Sequence, residues 1–172
     1  MSKIINIAVV GLGQVGIYLL NELSIKKKDI ELKTGKKINV VAVSAKNINK
    51  KRKFKFNKKL FYKNPLEIFK KEKVNILFEA IGQSDGVSKK VVETALKKGI
   101  HVITPNKALI SKHGNNLAKL AEQNNVNLEF EASVAGGIPI LRSIKEGLAT
   151  NKIFKVYGIL NGTSNYILSE ME

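Results

Sequence analysis

The sequence holds no cysteine and no tryptophan, three prolines, two histidines and, among its 30 basic residues, only two arginines, Arg52 and Arg142. Without cysteine there is neither a disulfide framework nor a thiolate metal site, and the cytoplasm is the expected compartment. No apolar run approaches the roughly 18 residues of a membrane span, and the opening MSKIINIAVV carries one lysine before entering an apolar stretch, unlike a targeting segment. A soluble chain with no membrane partner is expected. The scarcity of arginine also bears on the net charge of +16, which would otherwise suit a nucleic acid. Specific phosphate and base recognition favours the bidentate guanidinium fork, and here the positive charge is almost all lysine, spread along the chain with a surplus of asparagine and isoleucine. The excess reads as compositional bias on a solvated surface, so a basic nucleic-acid-binding protein is the weaker alternative and no nucleic acid is expected as partner. One further gap is local: no Asp or Glu occurs between Glu31 and Glu67.

Against these absences stands one dense signal, Asn6 to Gly16, NIAVVGLGQVG. Ile7 to Val10 suit a strand buried on both faces, and Gly11, Gly13 and Gly16 follow as G-x-G-x-x-G. Gly11 permits the tight turn, Gly13 the close approach of a pyrophosphate, and Gly16 close packing of the next helix on the strand. The free backbone amides from Leu12 to Val15, Gln14 included, at the positive helix end, would hold the phosphates. Val15, Leu19, Leu20 and Leu23 supply the helical spacing behind the turn.

The remaining chain alternates helices and strands. A helix to about Ile30 stops at Thr34-Gly35, and Ile38 to Val43 is the second strand, apolar as parallel strands covered on both faces are. Where a NAD-type site places a ribose-binding carboxylate, this strand ends in Ser44-Ala45-Lys46, and Lys50, Lys51 and Arg52 follow. A 2'-phosphate fits there better than a bare ribose, which favours NADP over NAD, a solvated loop being the alternative. The interleaved Lys and Phe of Lys53 to Lys63 could stack on bases, but an edge strand is the preferred reading. A short helix begins at Pro65. Val74 to Ile81 is the next buried strand, and Ile81 and Gly82 at its exit join the expected cofactor site. Glu79 is open between a ligand group and a polar residue of the sheet's rim.

Val87 to Lys98 is a helix ended by Gly99, and Ile100 to Ile103 a strand. Thr104 then serves as cap with Pro105 in the first turn of a helix to Ala121. Lys107, a cation against the dipole of that first turn, is a candidate for ligand contact or simply one lysine of many. His101 and His113 read as structural, having no carboxylate or cysteine at ligand or triad spacing. Asn125 to Glu131 is expected as a strand, and Ala132 to Ile140 as a glycine-rich turn whose carbonyls either bind a hard cation or simply turn the chain. A helix over Leu141 to Leu148, a strand over Ile153 to Leu160 and a last helix complete the chain. The class is α/β, a Rossmann-type doubly wound parallel sheet over residues 1–135, with the beginning of a substrate and dimerisation domain over 136–172.

The motifs GLGQVG, TGKKINVVAV, ITPNKALISKHG, FEASVAGGIPILRSIKEGLA and VYGILNGTSNYIL resemble, in order and across essentially the whole chain, those of the homoserine dehydrogenases. The resemblance implies NAD(P)-dependent interconversion of L-homoserine and L-aspartate 4-semialdehyde, on the route to threonine and methionine. It places Thr104 beside the nicotinamide and makes Lys107 the catalytic lysine near nicotinamide and substrate. It puts a monovalent cation such as sodium on the carbonyls of Glu131, Val134, Gly136 and Ile138, and the amino-acid substrate against Gly162 and Thr163. Pro105 departs from the small residue found there in many relatives. The family's substrate domain extends well beyond NGTSNYIL and carries the carboxylates and the lysine that hold substrate and move its proton. The resemblance therefore implies a cofactor half that is nearly inactive alone, within a homodimeric full-length enzyme. A non-catalytic NADP-binding module is the other alternative.

Overall fold

Strand β1, Lys3–Val10, is the axis of the sheet, and the burial of its last four residues shows why. Ala8 and Val10 point into one apolar cluster and Ile7 and Val9 into another, so each face of the strand carries its own core. The computed structural model describes residues 3–52, 54, 56–158 and 162–171. Around β1 stand β2 (Lys36–Ser44), β3 (Phe61–Tyr62), β4 (Ile76–Glu79), β5 (His101–Ile103) and β6 (Leu128–Glu129), in the order β3-β2-β1-β4-β5-β6. Every pairing is parallel. The fold expected from the alternation of elements is thus the one observed.

Helix α1 (Gln14–Ile25) covers one face through Ile17 and Leu20, packed with Val9 and Val43. The other face is covered by α3 (Ile68–Lys71), α4 (Val87–Lys97) and α5 (Lys107–Gln123), whose Ile68, Val91, Val92, Leu96, Leu109 and Leu117 meet Ala8, Leu77 and Val102. Full burial of an aliphatic side chain of this size stabilises by about 1.5–3 kcal/mol, so this two-sided core dominates the energetics. The β1–β2 register shifts between Ile7 and Ala8, which pair with Val40 and Ala42. The extra residue, Val41, resets the pleat, so Val40 before it and Val43 after it both reach the α1 side.

Several boundaries differ from those expected. The first helix breaks at Lys26 and resumes as α2 (Lys27–Thr34), ended by Gly35 at φ 66°. The Lys and Phe segment is an edge strand only at Phe61–Tyr62; Asn57 caps a 3-10 turn before it, and Phe54 and Phe56 pack toward the α1 core. Lys53 and Lys55 lie outside the described residues. Tyr62 donates to Glu72 at 2.5 Å, tying this edge to the end of α3, and that bond raises the phenol's pKa. Asn125 sits at φ 52° in a turn, so the sixth strand starts later than its sequence alternation suggests. Beyond β6 come α6 (Glu131–Val134), α7 (Ile140–Arg142), one π turn over Ser143–Gly147, and α8 (Gly162–Glu170). The strand expected over Ile153 to Leu160 is not formed at 153–158, which are exposed and pair with no strand among the described residues; Leu160 lies outside them. A strand exists through its ladder bonds, and apolar alternation does not supply a partner.

Candidate functional site

The residues singled out in the sequence converge because they follow the carboxyl ends of parallel strands. Gly11 to Gly16 follow β1, Ser44 and Lys46 end β2, Ile81 and Gly82 follow β4, Thr104 and Lys107 follow β5, and Glu131 follows β6. The chain moves outward from β1 to β2 and β3, then crosses to β4 on the other side, so the strand order reverses between β1 and β4. At that reversal the two adjacent crossovers diverge and leave a crevice, the usual ligand position in an open α/β sheet.

The glycine turn lines this crevice. Gly11 has φ 96°, and a Cβ there would lie 2.3 Å from the carbonyl oxygen of Ala80. At Gly16 a Cβ would lie 1.9 Å from the carbonyl oxygen of Gly11. Both glycines are demanded by the chain itself. Gly13 is different: its φ of −75° suits any residue, and a Cβ there would meet nothing within 4 Å. Open space beside a glycine that the fold does not need is where a ligand would stand. Ile17 N–H bonds to Gly13 O at 3.0 Å, the first turn of α1, and no side chain caps this end. The amides at Gln14, Val15 and Gly16 thus have no acceptor inside the helix. Leu12 is buried in the α1 core, so only its backbone can serve a ligand, while Gln14 and Val15 are exposed.

Beneath the crevice lies a polar knot that the sequence only half revealed. Glu79 is wholly buried and accepts from Ile81 N–H at 2.7 Å, Ser88 Oγ at 2.8 Å and Thr104 Oγ1 at 2.7 Å. Asn106 Nδ2 approaches both its oxygens at 3.4–3.5 Å and bonds to Ser88 Oγ and to the Gln83 carbonyl. Glu79 therefore ties the loop after β4, helix α4 and the loop after β5 into one unit, which decides its open reading in favour of scaffolding. Thr104 is not the cap of α5. Asn106 is, its Oδ1 accepting Leu109 N–H at 3.1 Å, because the Thr104 hydroxyl is committed to Glu79 and to Asn106 N–H. Lys107 is accordingly the first residue of α5, exposed at the carboxyl edge of the sheet.

His113, expected to lack a carboxylate, has one: its Nε2 lies 2.9 Å from Asp85, which is also bonded by Lys112 at 2.8 Å and Ser84 at 2.7 Å. These partners, Lys112 foremost, hold the Asp85 carboxyl well below the ordinary range. Sequence spacing could not show a contact made across 28 residues. A folded-state pKa below the unfolded value means the pairing stabilises above about pH 4 and is lost as pH falls toward the lowered value. Asp85→Asn should lower the melting temperature slightly at pH 7, and by progressively less as the pH falls below about 4, as read by thermal scans across that range. His101 is structural as expected, its Nδ1 accepting Asn127 N–H at 3.0 Å.

Past β6, the Glu131 carboxylate accepts Leu141 N–H and Arg142 N–H, each at 3.0 Å. The carbonyls of Glu131 and Ile138 receive Ala135 N–H at 3.4 Å and Ile140 N–H at 2.8 Å, and Gly137, at φ 88°, turns the segment between them. Val134 ends the short helix α6 and Gly136 lies in the turn after it, so the glycine-rich turn expected over Ala132 to Ile140 starts only past Val134, the Glu131 carboxylate having drawn the chain round on itself. Gly162 and Thr163 open α8. A concavity of about 240 Å3 between α1, β2 and the 54–60 segment is lined mostly by apolar side chains of the α1 core and lies away from the sheet's carboxyl edge. Among the described residues no helix is long and apolar enough to cross a membrane.

A parallel sheet in this strand order, with the glycine turn at its reversal and α1 running from it, defines a dinucleotide-binding domain of the Rossmann class. Within that class, the chain belongs to the homoserine dehydrogenase family: residues 11–131 match the family's NAD-binding domain and residues 139–172 match its homoserine dehydrogenase domain. Homoserine dehydrogenase of Neisseria gonorrhoeae is 40% identical over 169 residues, and that of Bacillus subtilis 34%. Each match takes in 98% of this chain but 38% and 39% of the relative, so the chain spans about two fifths of their length. The crystal structure of a homoserine dehydrogenase from Thiobacillus denitrificans superposes with a TM-score of 0.83 at 36% identity, over 98% of this chain and 39% of that one.

Proposed function

We propose that this chain supplies the nicotinamide dinucleotide site, and the first part of the substrate region, of an enzyme interconverting L-homoserine and L-aspartate 4-semialdehyde in threonine and methionine biosynthesis. The observation that carries the reading is the open space at Gly13, flanked by amides of α1 that have no acceptor inside the helix and next to the exit of the neighbouring strand β4 at Ile81 and Gly82. Bound nicotinamide cofactor would supply the hydride acceptor or donor. The residues of this chain do the rest: Gln14 and Val15 offer amides to the pyrophosphate, Ser44 and Lys46 border the adenosine ribose, and Thr104 and Lys107 stand at the nicotinamide end. Lys107 offers a cation to a carboxylate or oxyanion of the substrate.

NADP is favoured over NAD because no carboxylate follows β2 and Lys46, Lys50 and Lys51 do. The carbonyls of Glu131, Val134, Gly136 and Ile138 are hard donors in a turn tightened by the Glu131 carboxylate, a set that suits a monovalent cation such as sodium. Gly162 and Thr163 would reach the amino acid. We place the nucleotide domain at residues 1–135 and the start of the substrate domain at 136–172, in a cytoplasmic homodimer. The test is titration with NADPH and NADH, then assay of homoserine oxidation. Micromolar NADPH binding, weaker NADH binding and turnover far below that of a full-length relative are expected, since the chain spans only 38% of the Neisseria gonorrhoeae homologue. Absence of binding to either nucleotide would overturn the reading.

A further inference from the structure

Arg52 is the one guanidinium in the basic loop after β2, and its charge alone suggests a ligand of the cofactor's 2'-phosphate. Its bonding says otherwise. Nε donates to the carbonyl of Leu12 at 3.1 Å, Nη1 to those of Ile48 at 3.1 Å and Lys50 at 3.0 Å, and Nη2 to that of Asn47 at 2.7 Å. Four of its five N–H donors are thereby taken by main-chain carbonyls. The guanidinium carbon also lies over the Phe56 ring, 5.8 Å from its centroid. The Leu12 carbonyl belongs to the glycine turn, between Gly11 and Gly13, whereas the other three belong to the loop that leaves β2.

We infer that Arg52 is a positioning residue that locks the loop over 47–50 to the glycine turn, setting the distance between the pyrophosphate amides and the ribose corner, while lysines supply the 2'-phosphate contact. Lys46 and Lys50 are exposed and lie on the loop that Arg52 organises. A lysine in place of Arg52 is a point donor on a flexible stem and cannot hold four carbonyls in one plane. The inference rests on the nucleotide reading proposed above and separates two roles that charge alone merges. A phosphate ligand serves NADPH only; a clamp on the turn serves every nucleotide that uses the pyrophosphate site.

The experiment measures Kd for NADPH and NADH with the wild-type chain, Arg52→Ala, Arg52→Lys and Lys46→Ala, with thermal unfolding of each and with millimolar ethylguanidinium added to Arg52→Ala. A wild-type chain that binds neither nucleotide refutes the nucleotide reading itself, separately from the role of Arg52. With binding established, Arg52→Ala and Arg52→Lys are expected to weaken NADPH and NADH alike, by about tenfold, leaving their ratio unchanged, and ethylguanidinium to restore part of both in Arg52→Ala. Lys46→Ala should lower NADPH affinity alone. Loss confined to NADPH in the Arg52 variants would overturn the inference, as would unchanged affinity for both. If Arg52→Ala unfolds, the unaltered NADPH to NADH ratio in Arg52→Lys decides.

Discussion

Gly13→Val is expected to lower NADPH affinity by about 100-fold, roughly 2.7 kcal/mol, while shifting the melting temperature by less than about 2 °C. The two halves of that expectation come from one observation. A Cβ at position 13 meets no atom beyond its chain neighbours within 4 Å, and the backbone angles there are ordinary, so the fold has no reason to object. The same side chain would fill the space where a pyrophosphate must approach the amides of α1. Gly16→Ala is the internal control with the opposite signature. Its Cβ would fall 1.9 Å from the Gly11 carbonyl oxygen, and the helix must retreat from β1 to make room. Overpacking of that severity should cost about 3 kcal/mol and about 10 °C in melting temperature. Isothermal titration and thermal scans of both variants separate the roles: a Gly13 variant that melts early, or that binds normally, would show that the open space is not the ligand's.

Glu79→Ala is expected to destabilise the chain by about 3–5 kcal/mol, a large share of the stability of an ordinary domain. The carboxylate gathers donors from Ile81, Ser88, Thr104 and Asn106, and the last three of these residues are buried. Glu79→Gln keeps the volume and one acceptor oxygen, and the Thr104 hydroxyl can turn to accept from the new amide, so a smaller loss is expected. Because Ile81 and Thr104 border the crevice, nucleotide affinity should fall together with stability in Glu79→Ala. Chemical denaturation of both variants checks this. A variant of unaltered stability that loses only ligand affinity would mean that Glu79 belongs to the ligand and not to the scaffold.

The parts of the architecture legible in the sequence were those with strong local chemistry. Ile7 to Val10, Val40 to Val43 and Leu77 are apolar on both faces because both faces are covered, and that pattern survives without knowledge of the partners. The glycine turn was legible for the same reason: Gly11 and Gly16 answer to contacts fixed by the strand–turn–helix geometry. What was not legible depended on distant partners. Thr104 and Asn106 are both good caps by type, and only the presence of Glu79, 25 residues earlier, decides which one is free to serve. Arg52 has the charge of a phosphate ligand, but four main-chain carbonyls, one of them 40 residues away in the glycine turn, take up its donors. His113 found its carboxylate through the packing of α5 beside the loop before α4. Residues 153–158 carry strand composition, yet the six-stranded sheet closes at β6 and offers them no ladder.

The proposed nicotinamide dinucleotide site lies across the reversal of strand order, on the amides that follow β1. It is tested most directly by titrating the 15N-labelled chain with NADPH and following backbone amide resonances. Saturable shifts concentrated at Leu12 to Gly16, at Ile81 and Gly82, and at Lys46 are expected, with Gly13→Val needing about 100-fold more NADPH to reach them. Shifts scattered over exposed lysines and lost on adding salt, with the glycine turn unmoved, would contradict it.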